Sequence, residues 1–383
     1  MIERVRRVDA VLLLLQSAVN DARMLNIART LRDAGKSVAL VAYGSEHDRQ
    51  TLARENIELL AIHSDRDGRL FKRWPAFLLQ ARLLLRGINA ATCWAEDVFT
   101  LPLAAGLARR SGGRLIYDSR ELYFALGTLQ HNDLRQKVIQ ATEARFYPRC
   151  DAVMVSGPLD ADELLKRYGG GRAEVVMNLP PLNIVAPNKS LHARFGLADH
   201  VNILVYQGGV FRAKGLDLAV RALQYLPDCA LCIIGDGPFE LDIRRLAAEL
   251  KLEDRVLFTG RLPYDELPRW TAAADIGLAL IEATTLSYRL ALPNKMFEYC
   301  MAGIPTLATD LPAMRAAIED HGIGALIKQD ATARATAEVV KDMLQTPALH
   351  ALRAACAAAR EKLNWQAQAE RVLRLQNDDA PQS

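Results

Sequence analysis

The chain has 383 residues, half of them hydrophobic and about a quarter charged, with a formal net charge of +3. At roughly 150 residues per domain this predicts two or three folded domains, and the composition excludes a disordered, collagen-like or disulfide-scaffold chain. The near-balanced charge marks no dedicated nucleic-acid binder, although residues 1–187 carry 26 Lys+Arg against 21 Asp+Glu and the remainder 22 against 24.

No apolar run approaches the ~18 residues a membrane span needs. The richest, 10–15, is too short for a signal-peptide core and reads as a first buried strand. Further strand candidates follow at 38–43, 57–62, 113–117, 151–156, 174–177, 201–206, 229–234, 255–259, 275–281 and 304–308, the first of the series being 9–15. They show little polar alternation, as strands buried on both faces should. Helical patterns lie between them. Asn20 or Asp21 can cap a helix with Met24, Ile27, Ala28 and Leu31 on one face, ended by Gly35. Residues 69–86 contain five basic and no acidic residues among Phe71, Trp74, Phe77, Leu78, Leu79, Leu83, Leu84 and Leu85. That segment reads either as a basic amphipathic helix lying on an anionic membrane, with Phe71 and Trp74 exposed beside Lys72 and Arg73, or as a helix burying Leu78, Leu79 and Leu83. Residues 178–191, rich in Pro and Asn, read as an inter-domain linker, and the β-α pattern starts afresh at Val201. The last helix, roughly 348–376, is expected to break near Asn364.

Alternating strands and helices imply parallel sheets covered on both sides. The expected architecture is α/β: two Rossmann-like, doubly wound domains facing across a cleft. Their expected bounds are 1–185 and 186–360, with 361–383 as a C-terminal helix and tail that packs back on the first domain. The six cysteines are scattered, and Cys229 and Cys232 form a lone C-x-x-C inside an apolar strand. Buried free thiols in a reducing cytosol fit this better than a zinc site.

Ligands of doubly wound sheets bind beyond the carboxyl ends of the strands. Four such loops stand out in the second half. Residues 208–215, Gly-Gly-Val-Phe-Arg-Ala-Lys-Gly, follow the strand ILVYQ and lead into a helix. Glycines and two cations suit a phosphate, although a plain β-α turn with solvated cations reads equally from this loop alone. Residues 235–238, Gly-Asp-Gly-Pro, open like a dinucleotide fingerprint, but Glu240 stands where a third glycine is needed, so a tight turn is the simpler reading. Residues 259–263 and 292–299 complete the set. In the last, Glu298 is either a surface residue or a carboxylate able to accept hydrogen bonds from two vicinal sugar hydroxyls.

Together these loops resemble the C-terminal domain of glycosyltransferase family 4, whose members have the two-domain GT-B fold. The resemblance rests on "IIGDGP", "DRVLFTGRLPYDELPRWTAAADIGLAL" and "ALPNKMFEYCMAGIPTLATDLPAM", and upstream on "NDARMLNIARTLRDAGKSVALVA", "LIYDSRELY" and "VMVSGPLDADELLKRYG". It implies retaining, metal-independent transfer of a sugar from a UDP- or GDP-sugar to a glycan or lipid-linked acceptor, as in polysaccharide biosynthesis. The nucleotide-sugar is a substrate, and no cofactor is implied. Lys214 matches the lysine that contacts the donor diphosphate. Gly208 and Gly209 belong to the same loop, but Gly209 stands where the family has an arginine, so Arg212 is expected to supply that cation. Arg261 and Leu262 match the loop beside the nucleobase. Asn294 and Lys295 open the helix that carries Glu298, and their backbone N–H groups, with that of Leu292, are expected to hold donor phosphate; Glu298 matches the second glutamate of E-x7-E, which implies a ribose contact. The first glutamate of that motif falls on Leu290. Arg120 occupies the place of a histidine that faces the donor sugar, and is expected either in that catalytic post or simply paired with Asp118 or Glu121. Asp21 and Arg23 match a D-x-R pair, which implies a part in shaping the acceptor side; a plain helix cap reads equally there. Other readings are a catalytically silent nucleotide- or glycan-binding homologue and a nucleotide-sugar epimerase. The expected location is the cytoplasm, at the inner face of the membrane if the 69–86 helix docks there.

Overall fold

The computed structural model describes residues 5–63, 70–126, 133–170 and 173–377. Two compact units divide the chain: Met1–Asn178 with Gln368–Ser383, and Leu179–Ala367. The first boundary between them, after Asn178, falls in the segment read as a linker, which holds no regular secondary structure between 176 and 189. The second crossing point lies at 367–368, seven residues past the expected 360–361.

The first unit is built on a seven-stranded parallel sheet of β1 (Arg6–Ser17), β2 (Val38–Tyr43), β3 (Glu58–Ile62), β4 (Ile88–Ala95), β5 (Arg114–Ser119), β6 (Ala152–Val155) and β7 (Ala173–Val175). Their order is β3-β2-β1-β4-β5-β6-β7, so the strand order reverses between β1 and β4. In β1, residues 10 to 15 are at most 2% exposed, because helices cover both faces of the sheet. β4 is absent from the strand expectations, yet it sits mid-sheet, paired to β1 and β5. Its sequence INAATCWA has no β-branched run, and position between two strands overrides that weak propensity. Trp94 is fully buried there, and its indole N–H reaches Thr92 and Gln376.

Gln376 lies on the helix Gln366–Asn377, which belongs to the first unit from Gln368 onward. Arg114 also donates to Leu375 O, and Arg371 to Val175 O. The break before this helix is at 360–365, and Asn364 caps the helix through Ala367 N at 3.0 Å.

The second unit holds a six-stranded parallel sheet of β8 (Asn202–Gln207), β9 (Cys229–Ile234), β10 (Val256–Gly260), β11 (Ile276–Ala279), β12 (Thr306–Thr309) and β13 (Gly324–Ile327), in the order β10-β9-β8-β11-β12-β13. The reversal here falls between β8 and β11. β13 is also missing from the strand expectations. A side chain at Gly324 would come within 1.9 Å of Thr306 O, so the edge strand closes on β12 only with glycine there. Cys229 and Cys232 are buried free thiols on opposite faces of β9, each in a different hydrophobic cluster. Among the described residues no group of His, Cys, Asp and Glu is arranged to hold a metal ion.

Candidate active site

In the second unit the chemistry-bearing loops sit at the reversal point, which in open parallel sheets is where ligands bind. The 208–215 loop leaves β8 and abuts the segment after β11. A Cβ on Gly215 would lie 2.2 Å from Leu280 O, and Glu282 N donates to Ala213 O at 3.1 Å. The loop is also clasped by the turn after β9. Gly208 N donates to Ile234 O and Val210 N to Asp236 O, both at 2.9 Å. Here the glycines of the 235–238 turn find their reason. A Cβ on Gly235 would meet Gly208 O at 2.0 Å and one on Gly237 would meet Val210 O at 2.3 Å, so they serve backbone contact with the first loop.

Two lysines come together at this point. Lys214, at the end of the loop, lies with its Nζ 4.2 Å from the Tyr288 ring centre. Lys295, in the first turn of the helix Asn294–Met301, lies 3.6 Å over the Tyr206 ring. Burial, and after it the charge of Lys214, push the Lys295 ammonium down to about 7, against the opposing pull of Glu298. Glu298 lies one helical turn on, facing the same way. Burial raises its carboxyl, while the Gln207 carboxamide, which donates to it, holds it down. Gln207 in turn accepts from the Thr271 hydroxyl at 2.7 Å.

Arg212 does not join this cluster. Its side chain is 76% exposed, pairs with Asp242 at 2.9 Å and stacks on Phe239, both on the following β-α unit. The cation that stands beside Lys214 is Lys295. Arg261 pairs with Asp236 at 3.0 Å at the surface, Leu262 is half-buried against the core, and Leu290 closes the short helix Leu286–Arg289.

In the first unit, the ends of β1, β4 and β5 carry a buried charge network. Arg23 is 2% exposed and forks onto Asp118 through Nε at 2.6 Å and Nη2 at 2.8 Å, with Nη1 on Val176 O. Arg120 reaches three carboxylates: Asp118 at 3.2 Å, Asp21 at 2.5 Å, and Glu96. Asp21 also caps its helix by accepting from Met24 N at 2.8 Å. Glu96, fully buried just beyond β4, keeps Oε1 without a hydrogen-bond partner, and burial raises its carboxyl despite Arg120 beside it. Three carboxylates thus face two guanidiniums. Of the partners expected for Arg120, Asp118 is one of its ion pairs.

Comparison with known proteins decides what this arrangement belongs to. The family described as "Glycosyl transferases group 1" matches residues 188–378, and the "Glycosyl transferase 4-like domain" matches residues 21–180. The chain belongs to glycosyltransferase family 4.

Among relatives of this family-4 chain is a GDP-mannose-dependent alpha-(1-6)-phosphatidylinositol monomannoside mannosyltransferase of Mycolicibacterium smegmatis. It is 29% identical over 53% of this chain and 53% of its own length. A 2-deoxystreptamine glucosyltransferase of Streptomyces kanamyceticus is 28% identical over 63% of this chain and 61% of its own. The chain therefore spans little more than half the length of these relatives. Two solved structures share the GT-B fold. They are Anabaena HepE with UDP and glucose (16% identical, TM-score 0.75, 96% of this chain and 98% of that one) and the sucrose-phosphate synthase of Thermosynechococcus elongatus (18%, TM-score 0.79, 97% and 99%).

Gln207, Thr271 and Glu96 are absent from the sequence expectations for this family-4 site. Gln207 left one signal: a lone polar residue closing the apolar run ILVYQ directly before the glycine loop. Glu96 left the pair Glu96-Asp97 after an unrecognised strand.

Proposed function

We propose that this chain moves a sugar from a UDP- or GDP-sugar to a hydroxyl of a glycan or lipid-linked acceptor, with retained anomeric configuration and without a required metal. The observation that carries this reading is the meeting of Lys214, Lys295 and Glu298 at the carboxyl ends of β8 and β11. The lysines suit a diphosphate, and Glu298 suits the ribose diol. As the sugar–oxygen bond breaks, charge grows on the diphosphate, and preplaced cations stabilise that charge more than they stabilise the ground state. The departing phosphate can itself accept the acceptor's proton, so no separate base is needed. The GDP-dependent relative and the UDP-bound neighbour support a nucleotide-sugar donor. The test is direct: with candidate nucleotide-sugars and acceptors, free nucleoside diphosphate and an α-linked product from an α-linked donor should appear, undiminished by a chelator. Epimerised donor, an inverted product, or binding without turnover would overturn the respective part.

Lys295 makes donor binding depend on pH. Its ammonium titrates near pH 7, and a bound diphosphate favours the charged form. Affinity for a nucleotide-sugar should therefore fall as pH rises above 7, by at most about tenfold per unit, with a proton taken up on binding. The free protein should respond in the opposite sense. The folded value lies below the ordinary 10.5, so the unfolded chain holds more protons between the two, and this group makes stability rise with pH in that window. Calorimetry in buffers of different ionisation enthalpy measures the uptake. Lys295→Met should abolish both effects.

We also propose that the protein works at an anionic membrane face through the helix Leu70–Leu84. That helix buries Phe77 and Ala81 and leaves Leu79, Leu83 and Leu84 exposed at 64%, 47% and 37%. This differs from both sequence readings. Leu79 and Leu83 are not core residues, and Trp74 is half-buried, donating to Phe99 O at 2.7 Å. The side chains of Phe71 and Lys72 lie outside the described residues. Arg82 and Arg86 flank the exposed leucines, and basic residues near an anionic surface contribute about 1 kcal/mol each. No described helix is long and apolar enough to cross a membrane. Flotation with anionic liposomes should show binding at low salt that weakens at high salt and with Leu79→Ser/Leu83→Ser; absence of binding at low salt ends the idea.

A further inference from the structure

We propose that Gln207 is a positioning residue whose carboxamide aims Glu298 at the ribose of the donor, and that Thr271 sets the direction of that carboxamide. The proposal rests on the reading that Glu298 holds the ribose diol.

Gln207 ends β8, is 2% exposed, and is fixed at both its backbone and its side chain. Its N–H donates to the Tyr299 hydroxyl at 3.1 Å. That hydroxyl lies 3.3 Å from Val205 O and 3.2 Å from Leu278 O, so its own proton ties β8 to β11. At the other end, the Thr271 hydroxyl lies 2.7 Å from Gln207 Oε1 and 2.8 Å from Leu267 O, so its one proton is shared between two acceptors, and Thr271 is 1% exposed. An ionised carboxylate accepts hydrogen bonds and donates none. With Oε1 engaged by Thr271, the amide NH2 faces Glu298 and donates to its Oε2. Among the described residues this is the hydrogen bond that orients the carboxylate, and it leaves Oε1 for a ligand.

The choice of residue has a physical reason. A carboxylate drawn out of water tends to take up a proton, and burial raises Glu298. A lysine in place of Gln207 would oppose this, but would add a third cation beside Lys214 and Lys295. A neutral donor keeps the carboxylate ionised without repelling those lysines. It also fixes one oxygen, so the other is presented in a single direction. A diol recognised by a fixed carboxylate gains from that preorganisation, because less freedom is lost on binding.

The experiment compares UDP with 2′-deoxy-UDP, and GDP with 2′-deoxy-GDP, by calorimetry on the full chain, with thermal melting of each variant. Glu298→Gln should shrink the ribo-over-deoxy preference, which tests the underlying reading. Gln207→Leu should shrink it by a similar factor, ~5–10-fold, which is within the range for loss of one net hydrogen bond. Thr271→Val, which keeps the side-chain volume, should shrink it ~2–3-fold. Gln207→Leu added to Glu298→Gln should change the preference no further, because both act through one contact.

A Gln207→Leu protein that melts normally and keeps the full preference, or loses ribo and deoxy affinity equally, overturns the positioning role while the Glu298 reading stands. A preference unmoved by Glu298→Gln removes the reading itself. Should Gln207→Leu not fold, Thr271→Val decides, and an unchanged preference in that variant overturns the relay.

Discussion

Replacing Lys214 with alanine is expected to lower kcat/KM for sugar transfer by roughly 10²–10³ while leaving the fold intact. The side chain stands at the end of the 208–215 loop, beside Lys295 and over the Tyr288 ring, at the point where a diphosphate would gain charge as it departs. In the proposed reading, its ground-state contact with the donor would be a charge-assisted hydrogen bond of about 1.5–3 kcal/mol. The growing charge of the transition state strengthens that contact, so the loss should fall on kcat as well as on binding. Gly215, Gly235 and Gly237 hold the loop by backbone approach, so melting should be little changed. A second consequence checks the assignment. Lys214 helps to push Lys295 down, so its removal should move the pH dependence of donor binding to higher pH. A variant with near wild-type turnover, or one whose pH profile stays fixed, would place the diphosphate elsewhere.

The second large effect is on stability. Asp118→Ala should destabilise the first unit by about 3–5 kcal/mol, the cost of breaking a buried pair from one side. Asp118 is fully buried and accepts from Arg23 through two nitrogens and from Arg120 through a third. Arg120 would keep Asp21 and Glu96. Arg23 would keep only Val176 O among its described partners, with its guanidinium still out of water. Removing the stranded charge should therefore recover stability, and Asp118→Ala/Arg23→Met is expected to be more stable than Asp118→Ala alone. Denaturant unfolding followed at Trp74 and Trp94, both in the first unit, measures this. A change under about 1 kcal/mol would mean that water enters the network and satisfies Arg23.

How much of this was legible beforehand follows from distance along the chain. The alternation of apolar runs with helical patterns is local, and β9 at Cys229–Ile234 coincides with its expected bounds. The glycine loop, the place of Lys214 and the Glu298 helix could likewise be read, because each is a short string whose chemistry lies in its own residues. The 178–191 linker was legible for the same reason. What was not legible depends on partners far away in sequence. β4 has the composition of a loop, and becomes a central strand only because β1 and β5 flank it. The helix Gln366–Asn377 joins the first unit because Gln376 meets Thr92 and Trp94, more than 280 positions earlier.

The same division runs through the site. Nothing in the string Phe-Arg-Ala-Lys distinguishes Arg212 from Lys214. The fold decides, by placing Asp242 and Phe239 where Arg212 can reach them and Tyr288 beside Lys214. Lys295 becomes a shifted lysine only because β8 brings Tyr206, and the 208–215 loop brings Lys214, against it. Gln207 contacts Glu298 across 91 positions and Thr271 across 64, so no local pattern could mark it as a partner of either. Arg120 reads as an exchange for a histidine, but three carboxylates from three different strand ends set its surroundings. Residue type and short spacing determined the fold class, the family and the loops that carry charge. Burial and the opposition of charges across the sheet ends determined which of those charges meet, because both depend on groups that come together only when the chain is folded.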